Sequence, residues 1–427
     1  MTARWLAGLV ALQTALGFGC GSSDGSGDGA ASERAASVER APIEVFSWGG
    51  LQNTLVTEHE RRHPEDRVIH ANAQLSDTAR KVLRKRLVEG DPPDTFQVNA
   101  GLDLLQWVLV NQIDARESRL LPLDDLPGLA DWASLWPAPL RAALSYDGHP
   151  YAVPANVHRL NAVFFNPQVL RQAGVEVPRR LDDLFVLGDT LAKRGIPLLA
   201  VGSKDPWTLS VLIIESLLIA QHGPEFYESY FGGRLEPDDA HIEQTLTSAL
   251  RLLEYANPDR DDLHWEQAAQ MVFDGRAAMT VMGDWARSLF DAPGVEVDSR
   301  YRELTFPGTE ALFVFACNAF PLPAGAKNEA GARRLLESIA SVEGQAAIGR
   351  SRTSIPARLD VDVNPNDGTQ TSKQRLWRSG RLVLAQSGLV PPAFSNDLNE
   401  ALAAMDREHR VSPVLHALRA RYLLLGR

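Results

Sequence analysis

Short runs of β-forming residues alternate along this chain with longer segments whose apolar positions recur at helical spacing. Residues 43–48 alternate and are rich in β-formers, which predicts a first strand. Residues 51–63 have helical spacing and end at Pro64, a residue that cannot continue a helix. Residues 67–71 predict a second strand, 77–89 a charged helix stopped by Gly90, and 95–98 a short strand after the turn Asp91-Pro92-Pro93-Asp94. Strands alternating with helices imply a mixed, mainly parallel sheet flanked by helices. Ligands of such sheets bind beyond the carboxyl ends of the strands, so Trp48, Gly49, Gln97 and Asn99 lie where a site would form.

A second α/β unit begins near Tyr151-Ala152-Val153-Pro154. Strands are predicted at 157–166, 197–201, 277–282 and 311–320, and helices at 181–194, 209–222, 242–257 and 329–341. The third of those strands ends at Gly283-Asp284-Trp285. Residues 398–425 have a helical pattern interrupted at Pro413, and the polar stretch 360–374 is expected to be a surface loop.

Before residue 43 the pattern changes. Arg4 precedes a mostly apolar stretch, 5–16, which is shorter than the roughly 20 residues a membrane-spanning helix needs and has the length of a signal-peptide core. Gly17-Phe18-Gly19 then leads into Cys20, an arrangement similar to a bacterial lipobox, in which the cysteine is acylated. Phe18 is bulky for that pattern, and an ordinary cleaved signal is the alternative. Residues 21–42 are Gly-, Ser- and Ala-rich and too polar to bury a core, so they are expected to be a flexible linker. The whole chain of 427 residues suits two domains, and 44% hydrophobic against 23% charged residues is a globular balance. With 43 Lys and Arg against 54 Asp and Glu, the net charge of −11 disfavours a nucleic-acid partner. Cys20 and Cys317 alone exclude a disulfide framework or a cysteine-rich zinc site.

Several segments taken in order resemble the extracellular solute-binding proteins of sugar ABC transporters, family 1. These are Ile43-Glu44-Val45-Phe46-Ser47-Trp48, Asp91-Pro92-Pro93-Asp94-Thr95-Phe96-Gln97-Val98, Ala152-Val153-Pro154-Ala155-Asn156-Val157-His158-Arg159 and Met282-Gly283-Asp284-Trp285. Pro323-Ala324-Gly325-Ala326-Lys327-Asn328, Glu343-Gly344-Gln345 and Ser354-Ile355-Pro356-Ala357-Arg358 continue the series. The likeness is greatest to the glucose/galactose/mannose-type binding proteins. It implies a two-lobed α/β periplasmic-binding-protein fold, type II-like, with a ligand cleft between lobes at about 43–152 plus 312–348 and 155–310 plus 350–427. It also implies a monomer without enzymatic activity, cofactor or metal, anchored through lipidated Cys20 in the periplasm or at the cell surface. Such a receptor passes a carbohydrate to ABC permease subunits, and its hinge closes on ligand.

The resemblance also carries candidate ligand-binding positions. Trp48, Gln97, His158, Trp265 and Trp285 match sugar-contacting positions, and Arg352 stands where lysine is common. A sugar offers hydroxyls at its edge and C–H patches on its faces, which suits amides together with indole plates, Trp207 included. The departures are Gly49 for a second tryptophan, Asn53 for a glutamate, Asn99 for a histidine, Asn318 for an aspartate and Ser387 for a late histidine. Two charge-assisted acceptors are thereby replaced by amides, so weak glucose binding and a bulkier or less neutral ligand are expected.

Other motifs point elsewhere. His59-Glu60-Arg61-Arg62-His63 matches the HExxH pattern of a secreted zinc metalloprotease. Pro64 ends the helix that both histidines need, and His70 has the wrong offset for the extended motif. A surface sensor or scaffold that kept the fold without transport is a third reading. Asp24, Ser26, Asp28 and Gly29 imitate a calcium loop, but Ala35 occupies its essential glutamate position. No CxxC pair or Walker motif occurs, and Cys317 lies in a strand of Phe and Val as a small apolar side chain.

Overall fold

The computed structural model describes residues 40–48, 51–72, 76–114, 119–236, 240–290, 300–350 and 353–424. The expected signal, Cys20 and most of the linker lie outside them, as do Gly49 and Arg352. Arg40 and Ala41, expected in the linker, are tied to the body: Arg40 pairs with Glu65 at 3.1 Å, and the Ala41 carbonyl accepts from Asn328 Nδ2 at 2.6 Å.

The first strand, Ile43–Ser47, is the centre of a three-stranded sheet, parallel to Val68–Asn72 on one side and Thr95–Phe96 on the other. Parallel pairing here follows from the crossover helices Leu51–Arg62 and Ser76–Glu89, which return the chain to the same end. The expected strand over 157–166 is two strands, Ala152–Arg159 and Ala162–Phe165. Ala162–Phe165 pairs antiparallel with both Met279–Val281 and Arg302–Thr305, while Leu199 makes parallel bridges to Ala256 and Met279. The sheets are therefore mixed, with the fully parallel arrangement concentrated around Ile43–Ser47.

Apolar side chains collect in two main cores. Ile43, Phe46, Phe96, Leu104, Trp136 and Val157 belong to the first, and Val163, Leu187, Leu212, Leu246, Met279 and Leu398 to the second. The long strand Leu312–Pro323 lies between them, antiparallel to Ala152–Arg159 and parallel to Arg381–Leu384. Its Phe313 and Phe315, with Leu382, face the first core, whereas Val314 and Val383 face the second. That is the period-two alternation of strands shared by two bodies. Ile355, Ala357, Val363 and Trp377, expected with the second lobe, pack into the first core.

Two local departures matter for function. The polar stretch expected as a loop contains the start of a helix, Gly368–Ser379, whose first amides are capped by Asp367. Its Gln370, Lys373 and Gln374 are buried because they are bonded rather than solvated, a distinction composition does not carry. The helix expected over 209–222 passes through a π-helical turn, Ile213–Leu218, and continues to Phe231 with a kink at Gly223. Glu215 sits in that turn, buried, with Oε1 accepting from the Gln386 amide at 3.0 Å. Burial pushes its carboxyl up to about 7. Among the described residues no helix is long and apolar enough to cross a membrane.

Candidate ligand-binding site

Strand ends bring the predicted residues together. Trp48 follows the last residue of Ile43–Ser47, and Gln97 lies between Thr95–Phe96 and Val98–Asn99. Asn318 is opposite Asn99 on one side and Asn156 on the other, so three asparagines cross three strands in one row. The register slips between Asn318 and Ala319, a bulge of the kind that re-aims side chains. His158, two residues beyond Asn156, shares its strand face.

These side chains form one continuous hydrogen-bonded chain. The Trp48 amide donates to Gln97 Oε1 at 3.1 Å, and Gln97 Nε2 donates to Asn318 Oδ1 at 2.9 Å. Asn318 Nδ2 donates to Asn156 Oδ1 at 3.0 Å, and Asn156 Nδ2 lies 2.9 Å from His158 Nε2. His158 Nδ1 is 2.7 Å from Asp284 Oδ1. Behind it, Lys373 Nζ donates to Asp284 Oδ2 at 3.0 Å and lies 3.5 Å from Glu303, which also accepts from Arg159 at 2.8 Å. Burial works to raise the Asp284 carboxyl, but the Lys373 ammonium and His158 outweigh it and hold it below the usual range. Two carboxylates and two cations thus compensate one another out of water.

An aromatic wall adjoins the chain. The Trp285 and His158 rings meet edge to face, 5.3 Å between centroids at 87°. Trp207 lies 6.0 Å from Trp285 and 6.5 Å from Trp265, and all three indoles are half-buried. Gly283 makes room for this wall: a Cβ there would occupy the Trp285 ring. On the opposite side Arg80 stacks over Trp48, its Cζ 4.6 Å from the ring centre. Arg80 is itself held by Asp103 at 2.9 Å, and Asp103 also accepts from the Asn99 amide at 2.9 Å.

The remaining predicted residues are peripheral or undescribed. Asn53 is exposed near the start of its helix. Ser387 is half-buried in the turn of helix Gln386–Leu389 beside Gly388, whose backbone packs directly on Gly101. Gly101 has φ 97°, and any side chain there would meet the Gly388 carbonyl. Sequence reasoning missed Asn156, Asp284, Lys373 and Arg80 as working residues. Asn156 and Asp284 lay inside quoted motifs, and the strand period relating Asn156 to His158 was the available signal. Lys373 gave none, because its partners are 89 and 70 positions away in sequence.

The HExxH segment does not make a metal site. His59 is buried, with Nδ1 2.9 Å from Ser338 Oγ and Nε2 3.3 Å from Asp66. Glu60 Oε1 accepts from the Val68 amide at 3.2 Å, and the helix ends at Arg62, short of His63. Burial and the neighbouring His63 push His59 down to about 4. Among the described residues no group of three or more His, Cys, Asp or Glu is disposed to hold an ion. Burial likewise pushes the Cys317 thiol up, which makes it inert as a nucleophile.

Two α/β cores sharing strands, with amides and indoles gathered at the strand ends, define a two-lobed receptor for a small solute. The chain belongs to the bacterial extracellular solute-binding protein family, whose model matches residues 55–346. It is 30% identical over 378 residues to an uncharacterized ABC transporter extracellular-binding protein of Pyrococcus horikoshii, covering 85% of this chain and 83% of that protein. A "probable sugar-binding periplasmic protein" of Brucella suis is 29% identical over 66% of this chain and 65% of its own. The solved structure of the bacterial solute receptor AcbH superposes with a TM-score of 0.77 at 16% identity, covering 90% of this chain and 99% of that one. That likeness establishes the periplasmic-binding-protein fold, and the matched family consists of solute-binding proteins that act outside the cytosol.

Proposed function

We propose that the protein is a non-enzymatic receptor that captures a carbohydrate between the amide chain and the indole wall and delivers it to an ABC permease. The observation that carries this reading is the unbroken series Trp48–Gln97–Asn318–Asn156–His158, which ends against Trp285. Planar amides suit hydroxyls, and indole faces suit the C–H patches of a pyranose. The names of the Brucella relative and of AcbH, a receptor described with an exclusive preference for β-D-galactopyranose, support the same class of ligand. In this reading the protein is a monomer held at the periplasmic or cell-surface side by lipidated Cys20. The first lobe comprises about 43–158, 313–348 and 353–382, a division that follows core membership, and the remaining described body is the second.

Thermal-shift screening of the purified protein against mono- and oligosaccharides tests this. A sugar at 100 times its dissociation constant adds about 2.7 kcal/mol of stability. At least one sugar should raise the midpoint by several degrees, with glucose among the weakest because the amide of Asn318 stands where the resemblance expects a charged acceptor. A midpoint that stays flat across the panel would leave the scaffold reading in its place.

A further inference from the structure

We propose that two one-way groups, the Trp48 backbone N–H at one end and the Asp284 carboxylate at the other, fix the direction of every hydrogen bond from Trp48 to His158, and so decide which atoms this wall turns toward a ligand. The ligand's class rests on the carbohydrate-receptor reading; the order within the wall does not.

An amide side chain is nearly symmetric in shape but not in hydrogen bonding, and a neutral imidazole has one donor and one acceptor. Such a chain can therefore run in either direction unless one end is fixed. His158 Nδ1 faces two acceptors, Asp284 Oδ1 at 2.7 Å and the Thr353 carbonyl at 3.2 Å, so Nδ1 carries the hydrogen. Its Nε2 faces Asn156 Nδ2, which only donates, so Nε2 accepts and the ring is the neutral Nδ1–H tautomer. Asn156 Oδ1 is then turned to Asn318 Nδ2, Asn318 Oδ1 to Gln97 Nε2, and Gln97 Oε1 to the Trp48 amide. Each orientation forces the next. A carboxylate only accepts, and the buried Lys373 ammonium keeps Asp284 in that state, so the far end is fixed as well.

This order assigns Asn318 a second task. It must accept from Gln97 and donate to Asn156 at once, which an amide does and a carboxylate cannot. Asp at this position would turn Asn156 around to donate to it. Asn156 Oδ1 would then face His158 Nε2, and the ring would have to take a second proton there while Nδ1–H stayed on Asp284.

The test is ¹⁵N NMR of histidine-labelled protein, with the His158 signals assigned by their loss in His158→Gln. In the ligand-free protein His158 should be the Nδ1–H tautomer. In Asn318→Asp, at the same pH, both ring nitrogens should be protonated, and affinity for any sugar found by screening should fall at least tenfold. Asn156→Asp predicts the same doubly protonated ring and serves if Asn318→Asp does not fold. A wild-type ring in the Nε2–H form, or a ring unchanged by either substitution, overturns the proposal. A merely structural role for Asn318 would leave the signature of a ring two links away unmoved. No sugar binding with the predicted tautomer removes only the carbohydrate reading; sugar binding with the wrong tautomer removes only the relay.

Discussion

The two walls of the proposed site hold their side chains by different physics. On the first-core side, Gln97, Asn318 and Asn156 are held by one another, each amide fixed by directional bonds from its oxygen and from its nitrogen. On the other side, Trp207, Trp265 and Trp285 are held by ring contacts 6.0 to 6.5 Å apart and by the space left at Gly283. Directional bonds specify positions to a few tenths of an ångström and fail when one donor becomes an acceptor. Packed rings tolerate exchange for another ring and fail when area is lost. The amide wall is thus suited to telling one hydroxyl pattern from another, and the indole wall to holding whatever fits the pattern.

The cores behind the walls differ in their response to pH, and this is the largest effect expected. His59, behind the first wall, is pushed down to about 4 from 6.5, so the unfolded chain binds a proton that the fold refuses. Its stabilisation is complete above pH 6.5 and is lost as pH falls toward 4, a change of roughly 3 kcal/mol. Glu215, in the second core, is pushed up to about 7 from 4.5, so the fold keeps a proton that the unfolded chain releases. Its contribution is complete below pH 4.5 and is lost as pH rises toward 7, again by roughly 3 kcal/mol. Between pH 4.5 and 6.5 the two oppose each other. Urea denaturation of Glu215→Gln should therefore show stability rising with pH across that window more steeply than in the wild type. Equal slopes in the two proteins would contradict the contrast.

Binding provides the next two tests. Trp285→Ala should weaken sugar binding by roughly 2 kcal/mol, about thirtyfold, by calorimetric titration, while Trp285→Phe should recover most of it because a ring remains. Gln97→Ala leaves the Trp48 amide and Asn318 Oδ1 each short of a partner and should cost about 1.4 kcal/mol, tenfold in affinity. Here the conservative replacement should not help: Gln97→Glu cannot donate to Asn318 and should bind no better than Gln97→Ala. Rescue of Gln97 by glutamate together with no rescue of Trp285 by phenylalanine would invert the comparison.

How much of this was legible in the sequence follows the same division. Trp48, Gln97, His158 and Trp285 stood in motif segments and Trp265 at a position carried by the resemblance alone, and the structure gathers them. The strand that begins the fold and the helix that follows it carry strong local patterns, so their approximate extents were readable. Lys373 was hidden because a polar run reads as solvated until its partners are known, and those partners come from Asp284 and Glu303 on distant segments. The π-turn around Glu215 was hidden for a related reason, since one carboxylate in an apolar helix changes the pattern too little to mark a buried charge. The HExxH match, which Pro64 already argues against in the sequence, fails for a second reason that only the structure shows: Ser338 and Asp66 occupy the flanks of His59.

Small-angle X-ray scattering with and without a saturating sugar tests the gripping of one ligand by both walls most directly. Hinge closure about the shared strands should reduce the radius of gyration on binding, and Trp285→Ala should need about thirtyfold more sugar to reach the same decrease. An unchanged radius with a tightly bound sugar would mean that one wall alone holds the ligand, contrary to this account.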